Sequence, residues 1–176
     1  SKHTTVDAMD ASNTQHNYMY RMVYDTPVHF NNTTKELEPS LAEEWSTEDG
    51  GKTYIFKLRD GVKFHNGEIL KASDFVFTFN RMEGTTSCNG VFLKVESVEA
   101  VDDLTVKLTL PQASASYAEA LGHFTLMPKH VFNGDTHIVG AEENLKGIGS
   151  GPYKVAEFWQ DLFLMLMTLD HSVPQT

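Results

Sequence analysis

Two stretches of this chain alternate apolar and polar residues at the period of a β-strand. Tyr54, Phe56 and Leu58 share one face, and Thr53, Ile55, Lys57 and Arg59 share the other. Leu104, Val106, Leu108 and Leu110 alternate with Thr105, Lys107 and Thr109 and stop at Pro111. Asp60-Gly61 follows the first stretch, and glycine's tolerance of positive φ predicts a hairpin turn there into Val62 and Phe64. Asn66-Gly67 turns the chain again. Asp102-Asp103 joins the second stretch to a strand predicted over residues 95–101, which makes a second hairpin.

Between the hairpins the period changes. Phe75, Val76, Phe79 and Met82 recur at helical spacing between Ser73-Asp74 and Gly84, predicting a helix over 72–83. Phe77 widens its stripe, so this helix is expected to pack on more than one side, and core packing is the ordinary meaning of such an aromatic row. Tyr18, Met19, Met22 and Val23 predict an amphipathic helix over 13–25, broken by Pro27 and a loop at Asn31-Asn32-Thr33-Thr34. Leu37, Leu41, Ala42 and Trp45 supply a short helical or turn-like face, with Pro39 near its start. Further on come a small-residue helix over 115–121, a helical turn over 128–132, and a loop with a weak helix over 134–146. Strands follow over 153–158 and 162–167. No internal repeat is present.

Composition removes several classes. Apolar residues at 40% and charged residues at 22% describe an ordinary globular protein. A net charge of −10 without clustered Lys and Arg argues against nucleic acid. Cys88 is the single cysteine, so no internal disulfide can form, and no base beside it would activate the thiol. No apolar run reaches the roughly 18 residues of a membrane helix. Ser1-Lys2-His3-Thr4 carries no apolar leader, so a secretory signal is either removed or was never there.

The search for chemistry returns little. The eight histidines show no His-Glu-x-x-His or related spacing. His65, beside Asn66-Gly67, reads as a turn residue. Gly147-Ile148-Gly149-Ser150-Gly151-Pro152 lacks the Lys-Ser/Thr of a phosphate loop, and Ile148 stands where a nucleophile elbow needs glycine, so it reads as a tight loop feeding a strand. The overlapping Asn-x-Thr triplets at 31–34 would be idle in a bacterial protein. No catalytic residue, cofactor or metal ligand is assigned, and an enzyme is the least supported class.

A resemblance supplies what the chemistry does not. Leu37-Glu38-Pro39-Ser40-Leu41-Ala42-Glu43-Glu44-Trp45, Leu58-Arg59-Asp60-Gly61-Val62-Lys63-Phe64-His65-Asn66-Gly67 and Ser73-Asp74-Phe75-Val76-Phe77-Thr78-Phe79 closely resemble the segment that marks family 5 extracytoplasmic solute-binding proteins. These are the peptide- and nickel-binding receptors of ABC importers. Four further pieces match in order: Tyr20-Arg21-Met22-Val23-Tyr24-Asp25, the hairpin around Asp102-Asp103, Met127-Pro128-Lys129-His130, and Gly149-Ser150-Gly151-Pro152-Tyr153.

The resemblance implies an α/β, periplasmic-binding-protein type II-like fold. Residues 1–34 and 128–176 would form part of lobe one, and residues 35–127 an inserted mixed α+β domain built on β-hairpins, with the second lobe absent. It implies the substrate-binding component of an ABC importer, capturing an oligopeptide or similar small solute for a membrane permease. The place would be extracytoplasmic, in the periplasm or as a cell-surface lipoprotein. A nickel-chelate or haem receptor of the same family, or a free-standing interaction module, is the alternative. Family ligand positions map onto Asn13, His16, Asn17 and Tyr20 at the first helix and onto His123 and Phe124 before Pro128-Lys129-His130. Two departures stand out. Lys71 replaces a capping Thr, so the aromatic helix is expected to lose its cap or start later, at Ser73. The pattern also decays after Trp159, where the second lobe would begin, which predicts a truncated or divergent form.

Overall fold

The computed structural model describes residues 21–82, 95–136, 142–159 and 164–169. Among the described residues, eight strands fall into three antiparallel sheets. β1 (Val28–Asn31) pairs with β2 (Glu36–Pro39), with Val28 opposite Pro39. The Asn31-Asn32-Thr33-Thr34 segment is their turn: the Asn31 Oδ1 accepts the Thr33 and Thr34 N–H groups at 2.9 and 3.1 Å.

The main sheet has the order β3-β4-β6-β5, formed by β3 (Ala42–Glu48), β4 (Thr53–Leu58), β5 (Ser97–Ala100) and β6 (Thr105–Thr109). The expected hairpin around Asp102 is present. Its Oδ1 accepts the Leu104 and Thr105 N–H groups at 2.8 and 2.7 Å, closing an Asx turn.

Two expectations are corrected here. Leu37 to Trp45 is two strands rather than a helix. A β-bulge between Ala42 and Glu44 adds a residue, so Ala42 faces Leu58 while Trp45 faces Phe56, and both look to the core. A bulged strand thus imitates the three-residue spacing of a helix. The partner of β4 is also different from the one expected across Asp60-Gly61. β4 turns back onto β3 through Asp49-Gly50-Gly51, all at positive φ, and its other edge is taken by β6. Val62 to Leu70 forms its own small loop on Asn66-Gly67, closed by Leu70 N–H to the Val62 carbonyl at 2.8 Å.

Helix α1 (Ala72–Met82) crosses the inner face of this sheet. Phe75 stacks on Phe56 (5.9 Å between ring centroids) and Phe79 (5.4 Å), while Phe77 meets Phe132 at 5.9 Å. The helix therefore packs on more than one side, as its stripe predicts. It does not start late. The Asp74 carboxylate reaches back to the Lys71 N–H at 2.9 Å, the reciprocal half of a capping box, and this holds the start at Ala72. The same carboxylate accepts the Lys129 N–H at 2.8 Å and ties the start of α1 to the turn after Pro128. α2 (Tyr117–Ala120) runs into a 3₁₀ turn over Leu121–His123; further 3₁₀ turns span Lys129–Phe132 and Glu142–Lys146. β7 (Tyr153–Trp159) and β8 (Leu164–Leu169) form the last sheet. One apolar cluster runs from Val28 through the sheet and α1 to Phe132. The expected boundaries at 34/35 and 127/128 fall in the β1–β2 turn and just before the Lys129–Phe132 turn.

Candidate functional site

Three segments far apart in sequence meet at one junction: 21–25, 121–126 and 147–151. Residues 21–23 are helical, and the Val23 carbonyl accepts the Gly151 N–H at 2.9 Å. Backbone meets backbone here because side chains are missing. A Cβ on Gly151 would stand 2.6 Å from the Met22 carbonyl oxygen, and one on Gly149 would run into the Val23 carbonyl and sit 2.8 Å from the Tyr24 ring. The chain then passes from Asp25, whose carbonyl accepts the Leu126 N–H at 3.0 Å, to β1, where Gly122 lies against Phe30.

His65 fastens this junction from the side. Its backbone N–H donates to the Gly149 carbonyl at 2.8 Å, its Nδ1 accepts the Gly149 N–H at 3.2 Å, and its Nε2–H donates to the Gly151 carbonyl at 2.8 Å. Those roles require the neutral imidazole with its proton on Nε2. Sequence reasoning missed this use of His65, because a turn dipeptide beside it was the sole local signal.

Two more groups give the junction its electrostatics. Burial pushes the Asp25 carboxyl up from the ordinary 3.8 to about 6. The fully buried Ser150 hydroxyl lies close enough to offset part of that rise, short of full hydrogen-bond geometry. At the solvent side Arg21 donates to His123 Nδ1. Partial burial, and then the Arg21 charge, hold the His123 imidazole below its usual range.

Of the residues expected to touch solute, Asn13, His16, Asn17 and Tyr20 lie outside the described residues. His123 is exposed at the end of its 3₁₀ turn, next to Arg21. Phe124, one position on, points the other way: it is fully buried, 4.4 Å from Phe79 and 5.4 Å from Phe75 between ring centroids. Arg21, Asp25, His65 and Ser150 were not singled out as site residues, although all four lie within matched family pieces. Among the described residues no three His, Cys, Asp or Glu side chains converge as metal ligands, and no helix is long and apolar enough to cross a membrane.

The fold is one shared with solved solute-binding proteins of ABC importers. The oligopeptide-binding protein AppA of Bacillus subtilis, solved with a nonapeptide, superposes with a TM-score of 0.79 at 28% identity over 91% of this chain. Residues 36–163 match the Bacterial extracellular solute-binding proteins, family 5 Middle, and the chain belongs to that family. In sequence it is 33% identical to Bacillus subtilis AppA over 92% of this chain, and 29% identical to the heme-binding protein A of Haemophilus influenzae over 88%. The chain spans 30% and 32% of the length of these two curated relatives, about a third in each case.

Proposed function

We propose that these residues are the first-lobe portion, with its inserted domain over 35–127, of a receptor that captures a peptide-like solute for an ABC importer. The supporting observation is the family match over residues 36–163, in a chain that is also similar to a peptide receptor solved with its ligand. The function is capture without covalent chemistry, outside the cytoplasm, followed by delivery to a membrane permease. Closure traps a solute because the closed form makes contacts to it that the open form lacks. Asn13, His16, Asn17, Tyr20 and His123 are the proposed solute contacts, with Phe124 setting the position of His123 from within the core.

A chain covering about a third of its relatives supplies part of such a site, so its affinity for short peptides is expected in the millimolar range, near 4 kcal/mol. A ¹⁵N–¹H titration with a mixture of tripeptides tests this. Shifts gathered at 21–25, 121–126 and 147–151 are expected. Shifts spread over the sheet face, or none at all, would overturn the reading.

A further inference from the structure

We infer that Asn66 is a site of spontaneous deamidation, in which the His130 imidazole delivers the proton that the departing ammonia needs. This is chemical ageing of the chain itself, independent of solute capture.

The chain has three Asn-Gly pairs, at 66–67, 89–90 and 133–134. The second lies outside the described residues. Glycine makes such pairs reactive, because without a Cβ its backbone nitrogen can close on the preceding side-chain amide. The Gly67 nitrogen gives its proton to solvent and bonds to the Asn66 Cγ. The Cγ–Nδ2 bond then breaks, ammonia leaves, and a succinimide ring remains. Water opens that ring at either carbonyl and yields aspartate or iso-aspartate. One water enters, one ammonia departs, and nothing is oxidised or reduced.

Two contacts prepare Asn66 for this. The Glu68 N–H donates to Asn66 Oδ1 at 3.3 Å, where negative charge gathers as Cγ becomes tetrahedral. Asn66 Nδ2 donates to His130 Nε2 at 2.7 Å, which places the ring on the leaving nitrogen. Once Cγ is tetrahedral that nitrogen is a basic amine, and the exposed ring, in its imidazolium form, hands over the Nε2 proton. His130 is held in place by its 3₁₀ turn and by the Phe64 ring, 5.6 Å away between centroids.

One bond opposes the reaction. The Gly67 N–H donates to the Phe64 carbonyl at 2.8 Å, and the attack has to open it. Residues 66–69 are exposed and nothing lies within 4 Å of a Cβ built at Gly67, so the opening is local and the ring has room. Asn133 is the internal control. Its Gly134 N–H is also bound, to the Lys129 carbonyl at 3.0 Å, but its side-chain amide makes no hydrogen bond among the described residues. Both products of Asn66 set a carboxylate beside His130. Iso-aspartate also lengthens the backbone one residue from His65, which fastens Gly149 and Gly151.

The experiment ages the protein at neutral pH, folded and in urea, and maps the Asn66 and Asn133 peptides by mass spectrometry. In the folded chain Asn66 is expected to convert about tenfold faster than Asn133, what remains of a positioned acid's advantage once the turn has opened. In urea the two rates should converge. His130→Gln should bring folded Asn66 down to the rate of Asn133, with the melting temperature showing that the fold is kept. A folded ratio equal to the unfolded one, or an unchanged Asn66 rate in His130→Gln, would overturn the inference and leave solute capture standing. If that variant does not fold, the comparison of folded and unfolded parent decides alone.

Discussion

The His65 imidazole donates to the Gly151 carbonyl at 2.8 Å while its other nitrogen accepts the Gly149 N–H, so one side chain spans both strands of a glycine turn. The chain between His65 and Gly151 includes α1 and the outer hairpin, so this contact joins the small loop after β4 to the start of β7.

His65→Ala removes both side-chain bonds and leaves a part-buried N–H and carbonyl without their partner. A loss of about 2 kcal/mol is expected in urea unfolding. A loss within 0.5 kcal/mol of zero, the scatter of an ordinary surface change, would mean that water replaces the imidazole at no cost.

The glycines predict a contrast between positions that look alike in sequence. Gly149→Ala drives a Cβ into the Val23 carbonyl and should cost more than about 4 kcal/mol, since backbone has to move. At Gly61, φ is +74° with nothing within 4 Å of the added carbon, so Gly61→Ala should cost about 1 kcal/mol. Equal melting temperatures for the two variants would contradict the close approach.

Asp25 carries a pH signature. Its folded carboxyl titrates near 6 rather than 3.8, so the folded state favours the protonated form. That contribution is fully present below about pH 3.8 and is lost as pH rises through about 6. The shift corresponds to about 3 kcal/mol. Asp25→Asn should therefore match the parent near pH 4 and exceed it by up to that amount near pH 7. A stability difference that stays flat with pH would rule this out.

Phe124→Ala opens a void between Phe75 and Phe79 and should cost about 3–5 kcal/mol. If Phe124 were chiefly a solute contact, the variant would instead keep its stability and lose binding.

The sequence carried the local parts of this fold well and the distant ones poorly. The spacing of Phe75, Val76, Phe79 and Met82, widened by Phe77, was enough to foretell a helix packed on more than one side, and the Asp102 turn was enough for its hairpin. Alternation at Tyr54, Phe56 and Leu58 announced a strand but could not say which edge it would share. Val106 claims that edge, and no turn dipeptide encodes so distant a pairing. Trp45 was misread because a bulge moves it onto the face of Ala42. The candidate site follows the same rule. The family motifs pointed to His123, but Arg21 gains its meaning from a ring 102 positions away and His65 from a carbonyl 86 positions away.

The strand order β3-β4-β6-β5 also has a kinetic consequence. Each outer pair closes over a turn of a few residues and can zip early, whereas the central β4–β6 seam has to wait for α1 and everything between to be in place. The seam should thus acquire amide protection last in pulsed hydrogen exchange, and earlier protection of Phe56, whose N–H faces β6, than of Ile55, whose N–H faces β3, would refute that sequence of events. A ribosome would release the first pair long before its neighbour exists, leaving the edge that Val106 will cover open to any passing strand.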